Sequence, residues 1–381
     1  MDDHAWGLQP SPPLLKSKLP RTSPRNSSFQ FMNTNPPFAP LGSAHIVVLG
    51  AGAIGGYIGA WLAATGANVT LLGRAKTLST IQTHGYTLTD LNERKQVIEP
   101  KRIRFSTDPQ VLQLADVVLV TVKSRDTLEA AHLLQAHAQP NALVISFQNG
   151  VGNAAQLAKL LPHLNVIAGM VPFNVVTLPN GHLHCGTEGQ LCVESHPALK
   201  DLLPLFVKAG LPLQECTNFE EVQWGKLLLN LNNAVNALSD LPLKQELSQH
   251  AYRKCLAMLM GETLHVLKLA KITPAKVSKL SPTLLPWVLS LPDFIFKRLA
   301  SSMLKIDEQA RSSMWEDLQH NRTTEVNELN GAVVKLAEQV GIHAPMNAKM
   351  VQLIQQAERS KLRGISGEGL LQQLRSRISP S

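Results

Sequence analysis

No run of about 18 apolar residues, the length a membrane-crossing helix needs, occurs in this 381-residue chain, so a transmembrane helix is excluded. An apolar h-region of about 7–15 residues is also missing from the N-terminal stretch, which argues against a secretory signal. The four cysteines, Cys185, Cys192, Cys216 and Cys255, form no C-x-x-C pair and no zinc spacing. Free thiols in a reducing cytoplasm are the expectation. His182, His184 and Cys185 could be imagined as metal ligands, but no second cluster completes a site, so no metal is expected. Charged residues are only 17 % of the chain, and no dense Lys/Arg run with interleaved aromatics is present. The net charge of +8 therefore does not argue for nucleic acid.

What is present is a chain 44 % hydrophobic and long enough for two cores. Residues 1–43 stand apart: rich in Pro, Ser and Asn, they lack apolar periodicity and carry Lys16, Lys18, Arg21 and Arg25. They read as a disordered extension, as the product of an upstream start with Met32 the natural one, or as a weak organelle-targeting segment. From 44 to 217, short apolar runs alternate with helical stretches, the pattern of a parallel sheet covered by helices. Strands are expected at His45–Leu49, Val69–Leu72, Val117–Val122, Ala142–Phe147, Val166–Gly169, Gln190–Glu194 and Leu213–Cys216, and Tyr86–Phe105 as hairpin-like strands at the sheet edge. From 218 to 372 the periodicity is helical, interrupted by Pro274, Pro282, Pro286 and Pro292. The expected fold is α/β: an N-terminal Rossmann-type dinucleotide-binding domain followed by an all-helical substrate and catalytic domain, with the active site in the cleft between them.

The strongest motif is Gly50-Ala-Gly52-Ala53-Ile54-Gly55, set between a β-branched run and a helix-forming one. Such glycines let the backbone turn tightly and approach a pyrophosphate, which then sits at the N-terminus of the helix. About 20 residues on, where an NAD-selective site places Asp or Glu, the chain reads Gly73-Arg74-Ala75-Lys76. A guanidinium can clamp a 2′-phosphate that a carboxylate would repel, so NADPH is the expected cofactor.

Three further segments could carry chemistry. Gln148-Asn149-Gly150 follows a buried strand at its carboxyl end, where open α/β sheets bind ligands. Lys226, Asn230 and Asn233 are spaced i, i+4, i+7, hence on one helical face, among leucines. Burying that stripe requires polar partners, and a desolvated Lys226 would have its pKa lowered toward a proton donor's range. Ser313 stands three residues before Glu316, a capping-box spacing, so Ser313 is expected to cap a helix whose first-turn amides suit a substrate carboxylate. Glu325, about three turns along the same helix, could face the same cleft.

Gly50-x-Gly52-x-x-Gly55, Thr121-Val-Lys123, Gln148-Asn149-Gly150, Trp224-x-Lys226-Leu-x-x-Asn230 and Ser312-Ser-Met314-x-x-Asp317-x-x-x-x-Arg322-x-Thr-Glu325 occur in this order. Together they resemble the ketopantoate reductase (2-dehydropantoate 2-reductase) family over residues 44 to 360. The resemblance implies NADPH-dependent reduction of 2-dehydropantoate to (R)-pantoate, a step toward pantothenate and coenzyme A. It implies Lys226 as general acid and Glu325 as its catalytic partner. Asn230 would hold the substrate's hydroxyl end and Ser313 its carboxylate. Asn149 would sit by nicotinamide and substrate, while Arg74 and Lys123 face the adenosine phosphate. One position departs from the pattern: a second substrate-binding Asn, eight residues after the lysine, is here Ala234. Asn233 and Asn236 flank it as replacements, but a one-residue shift rotates a helical side chain by about 100°. A different 2-keto acid therefore stays open as substrate, and so, less favoured, does a non-catalytic NADPH-binding protein. The expected partner is a small 2-keto acid, with no nucleic acid or membrane, on a cytoplasmic monomer or homodimer.

Overall fold

The computed structural model describes residues 44–276, 280–299, 308–360 and 362–376. The expectations for residues 1–43, Met32 included, lie outside the described residues. β1 (Ile46–Leu49), β2 (Val69–Leu72), β6 (Val117–Val120) and β7 (Leu143–Ser146) are apolar runs buried along their whole length. A parallel strand covered by helices on both faces has no solvent side, hence no alternation. The remaining strands are β3 (Tyr86–Asp90), β4 (Lys95–Ile98), β5 (Arg104–Ser106), β8 (Asn165–Met170), β9 (Val175–Leu178), β10 (His182–Cys185), β11 (Leu191–Glu194) and β12 (Leu213–Cys216). The helices packed on the sheet are α1 (Ala53–Ala64), α2 (Ala75–His84), α3 (Thr127–His137), α4 (Asn153–Leu160) and α5 (Leu203–Lys208).

The main sheet has the order β12-β11-β8-β7-β6-β1-β2-β5. β1 pairs in parallel with both β2 and β6, so the direction of winding reverses between β1 and β6. Ligands of open α/β sheets bind outside the carboxyl ends of strands at such a switch point. Here the loops that leave β1, β6 and β7 meet there.

The Tyr86–Phe105 expectation is corrected in part. β3 and β4 do form an antiparallel hairpin, but in a separate sheet of order β4-β3-β10-β9; only β5 reaches the edge of the main sheet, beside β2. The Asp90 carboxylate tightens the hairpin turn by accepting from Asn92 N (2.9 Å), Arg94 N (3.1 Å) and Arg94 Nε (2.6 Å). The small sheet packs on α1 at Gly56, where a side chain would collide with Tyr86 and Leu183. His182 and His184 do share a face, and both imidazoles bond Thr89 Oγ1 at 2.8 Å. Among the described residues no group of His, Cys, Asp and Glu could hold a metal ion.

Helices follow from residue 219 onward: α6 (Phe219–Asn230), α7 (Asn232–Ser239), α8 (Leu243–Leu247), α9 (His250–Leu269), α10 (Leu285–Leu289), α11 (Asp293–Leu299), α12 (Ser313–Gln319), α13 (Asn330–Gln339), α14 (Pro345–Ser360) and α15 (Gly367–Arg375). No described helix is long and apolar enough to cross a membrane. The prolines break the stretch after α9 into short pieces, which Arg253 holds in place. Its fully buried guanidinium donates to the carbonyls of Leu247 (3.1 Å), Leu289 (3.2 Å) and Leu291 (2.8 Å), pairs with Asp293 (2.8 Å) and stacks on Phe296. Before that, Ala275 N bonds Glu221 O (2.8 Å), and the Ala275 carbonyl fills the space a side chain at Gly225 would need. The proline segment thus braces the helix that carries Lys226.

Candidate active site

Gly50 leaves β1 at φ +108°, a left-handed conformation that only glycine adopts without strain, and a Cβ there would press on Val122. Gly55 lies against the Gly50 carbonyl and Thr121 Oγ1, where no side chain fits. Thr121 Oγ1 donates to Gly50 O at 2.8 Å and so ties the glycine loop to the end of β6. Gly52, the N-cap of α1, is the contrast: it is exposed, and a Cβ there would meet nothing within 4 Å. That open space before the free amides of a 12-residue helix, with Ala53 and Ile54 half-buried in its first turn, fits a dinucleotide's pyrophosphate. Arg74, directly after Gly73 at the end of β2, has 83 % of its side chain exposed and only a 3.9 Å contact with Asp126.

The charged centre lies where the loops after β6 and β7 face the helices. Lys226, on α6, points its ammonium inward, donating to Asn149 Oδ1 (3.1 Å) and to the Val171 carbonyl. Burial pulls its pKa down to about 8, and Glu325 and Cys192 offset only part of that loss. Asn149 Nδ2 donates in turn to Glu325 Oε2 (3.4 Å). Glu325 Oε1 accepts from Ser124 N (3.0 Å) and lies 3.1 Å from Ser124 Oγ. Burial alone would raise the Glu325 carboxyl, but Lys123 and the hydrogen bonds from Ser124 and Asn149 outweigh it and hold the group below the usual carboxylate range. Lys123 Nζ lies 2.9 Å from Asp317 and 3.5 Å from Glu325. Its pKa rises because these two anions overcome its own desolvation. A narrow cleft lies beside Lys226, lined also by Asn149, Gly150, Gly169, Met170 and Asn230.

Several expected positions come together here: Asn149, Lys226, Asn230 and Glu325. Others differ. Leu231 separates α6 from α7, so Lys226 and Asn230 end one helix while Asn233 lies on the next and outside the cleft lining. Ala234 is fully buried in the helical core. Asn236 is buried too, and its amide is spent on Ser312 N (2.9 Å), Leu241 O (2.9 Å) and Glu246 Oε2 (2.8 Å). The cap of α12 is Ser312, not Ser313: Ser312 Oγ accepts from Trp315 N (3.1 Å) and donates to Asn233 O (3.1 Å), which places Ser313 as the half-buried first residue of the helix. Nor does Glu325 lie on that helix. α12 ends at Gln319, Asn321 turns left-handed at φ +51°, and Arg322 N closes back on Asp317 O (2.8 Å). Glu325 follows in a bend, which directs its carboxylate at Ser124. Lys123, expected toward the adenosine phosphate, turns its ammonium to Asp317 and Glu325.

Ser124 and the Val171 carbonyl carry no motif and were not anticipated. Ser124 holds Glu325 and, at 2.8 Å, the Asn149 carbonyl, which Asn153 Nδ2 also meets at 2.6 Å. A polar residue directly after the Thr121-Val-Lys123 motif, beside the carboxyl end of β6, is the signal that could have found it.

A glycine-looped sheet whose strand ends face a buried lysine on a helical partner defines a class, the two-domain dinucleotide-dependent oxidoreductases. The family model described as "Ketopantoate reductase PanE/ApbA" matches residues 46–198, and its C-terminal counterpart matches residues 218–358. The chain belongs to the ketopantoate reductase family, and it is an oxidoreductase. It is 28 % identical over 321 residues to a 2-dehydropantoate 2-reductase of Halobacterium salinarum, covering 82 % of this chain and 99 % of that one. A counterpart from Archaeoglobus fulgidus is 26 % identical, over 82 % and 97 %. Among solved structures, a PanE/ApbA family ketopantoate reductase from Ralstonia eutropha superposes with a TM-score of 0.70 at 28 % identity, covering 83 % of this chain and 99 % of that one. D-mandelate dehydrogenase, solved with NADH and anilino(oxo)acetate, shares the fold at 19 % identity and a TM-score of 0.68, over 83 % and 98 %. NADPH is the family's cofactor.

Proposed function

We propose that the protein reduces 2-dehydropantoate to (R)-pantoate with NADPH, feeding pantothenate and coenzyme A synthesis in the cytoplasm. The observation that carries this reading is Lys226: a buried ammonium, poised near pKa 8, at the wall of a narrow cleft next to Asn149 and Asn230. The glycine loop and the first turn of α1 would hold the pyrophosphate, and Arg74 the 2′-phosphate. When bound, the nicotinamide supplies a hydride to a keto carbon. The negative charge that develops on the substrate oxygen is met by Lys226 Nζ, which donates its proton as general acid. Asn149 fixes the ammonium, and Glu325 holds Asn149 while its charge keeps Lys226 protonated near neutrality. Asn230 is the cleft residue suited to the substrate's hydroxyl end. Ser313, half-buried and without a hydrogen bond from its hydroxyl to any described residue, is suited to the carboxylate; Asn233 stands behind it through Ser312.

The test is turnover by the purified protein with NADPH or NADH against a panel of 2-keto acids that includes 2-dehydropantoate. We expect the highest kcat/KM with 2-dehydropantoate and NADPH. No turnover of any keto acid would overturn the reading. A second reading, a different 2-keto acid, is favoured by Ala234, which stands where the family pattern has a second substrate-binding asparagine after the lysine; it predicts a better substrate elsewhere in the panel.

A further inference from the structure

Glu246 is a fully buried carboxyl on α8 that the reaction does not use. It lies opposite one face of α7. Its Oε2 accepts from Asn236 Nδ2 at 2.8 Å, with Asn232 Nδ2 at 3.5 Å, and its Oε1 has no partner. Asn236 has no exposed surface, and its two amide ends do different things. The NH₂ end faces two acceptors, Glu246 Oε2 and Leu241 O, so the oxygen end must face the other way, where it accepts from Ser312 N. An amide can rotate end for end at little cost in shape, and only its partners choose the orientation. Glu246 supplies one of the two acceptors that make this choice. With the amide turned around, the buried Ser312 N–H would face an NH₂ group and lose its bond.

Ser312 is the residue from which α12 starts. Its hydroxyl caps the helix at Trp315 N, and Ser313 follows it directly. The chain approaching it is held by the same α7–α8 corner: Leu243 N bonds Ala310 O (2.9 Å), Arg311 donates to Asp240 O (2.7 Å) and Trp315 Nε1 donates to Asp240 (2.5 Å). Those ties sit on the half-exposed side, and the Glu246–Asn236–Ser312 relay is the buried one.

We propose that Glu246 is a positioning residue for substrate binding, acting through Asn236 to fix the Ser312–Ser313 turn. This rests on Ser313 as the site for the keto acid's carboxylate. The carboxyl of glutamate and the carboxamide of glutamine each present an acceptor to Asn236, so Glu246→Gln keeps the relay, whereas Glu246→Leu fills the space and removes it.

The experiment compares the unmutated protein, Glu246→Gln and Glu246→Leu by steady-state kinetics and by amide hydrogen exchange at Ser312–Trp315. With Glu246→Leu we expect KM for the keto acid to rise about tenfold, the effect of one buried donor left unpaired, with kcat and the KM for NADPH within about twofold. Exchange at Ser312 should accelerate by a similar factor. Glu246→Gln should restore both. Unchanged KM and exchange in Glu246→Leu, or equal damage in the two variants, would overturn the proposal. Faster exchange at Ser312 without a change in KM would overturn its substrate-binding part. Should the unmutated protein turn over no keto acid, the proposed function fails separately, and exchange alone still decides whether Glu246 fixes the turn.

Discussion

Replacing Lys226 tests the chemistry most directly. Lys226→Met keeps the unbranched side chain up to the ε position and removes the ammonium. The hydride step then leaves charge on the substrate oxygen with no proton donor beside it, and loss of a positioned general acid costs about 10²–10⁴-fold in rate. We expect kcat to fall by that factor while NADPH binding, followed by protein fluorescence quenching, is unchanged, because the glycine loop and Arg74 belong to the sheet. The unmutated enzyme carries its own control in pH. Burial lowers the Lys226 pKa to about 8, so the acid form dominates below that value and is lost above it. The rate of NADPH oxidation should therefore be level below about pH 8 and decline about tenfold per unit above it. The variant should lose this break along with its activity. Thermal stability should hold, since the substitution removes a desolvated cation rather than an apolar contact. A near-normal kcat in Lys226→Met, or a wild-type rate that is flat to pH 10, would refute Lys226 as the donor.

Glu325→Gln removes the carboxylate whose charge supports the Lys226 ammonium, so the alkaline break in the rate profile should move below pH 8, in addition to a loss of kcat. Arg74→Ala should raise the KM for NADPH about tenfold and leave that for NADH nearly unchanged, because only a 2′-phosphate contact is deleted; equal turnover with both cofactors before mutation would refute the assignment. Arg253→Ala strips three leucine carbonyls and Asp293 of their buried donor and opens a void above Phe296. It should cost about 3 kcal/mol in urea unfolding.

The strand, glycine loop and helix at 46–64 were legible because every determinant is local: β-branched residues with no polar alternation, then glycines where the backbone turns. The buried lysine was legible for a related reason, a single cation spaced with asparagine among leucines. The small sheet was not. β3 pairs with β10 across some 90 residues of chain, and nothing in Tyr86–Asp90 distinguishes that partner from the edge of the main sheet. The choice between two adjacent serines as cap also escaped local rules. Ser313 has the glutamate three residues on, but Asn236, distant in sequence, takes the Ser312 N–H and decides the frame. Glu325 was displaced from its helix by Asn321, whose tolerance of the left-handed region is a stop signal that the apparent helical run obscures.

The two halves of the chain meet in an arrangement of two lysines and two carboxylates whose distances are unequal, and the inequality matters. Lys123 and Lys226 both depend on Glu325, one by direct approach and the other through Asn149. A single carboxylate that fully paired with Lys123 would have its charge largely cancelled at Lys226. Asp317 shares Lys123 with it, at 2.9 Å against 3.5 Å for Glu325. Asp317 is itself held by Arg322 at 3.3 Å, the residue whose N–H closes the end of α12. The turn that carries Glu325 off its helix therefore also anchors the anion that shares Lys123 with Glu325. Because Coulomb energy falls with distance and rises as water is excluded, a buried site can use such differences to hold one lysine fully charged while keeping the other within reach of titration.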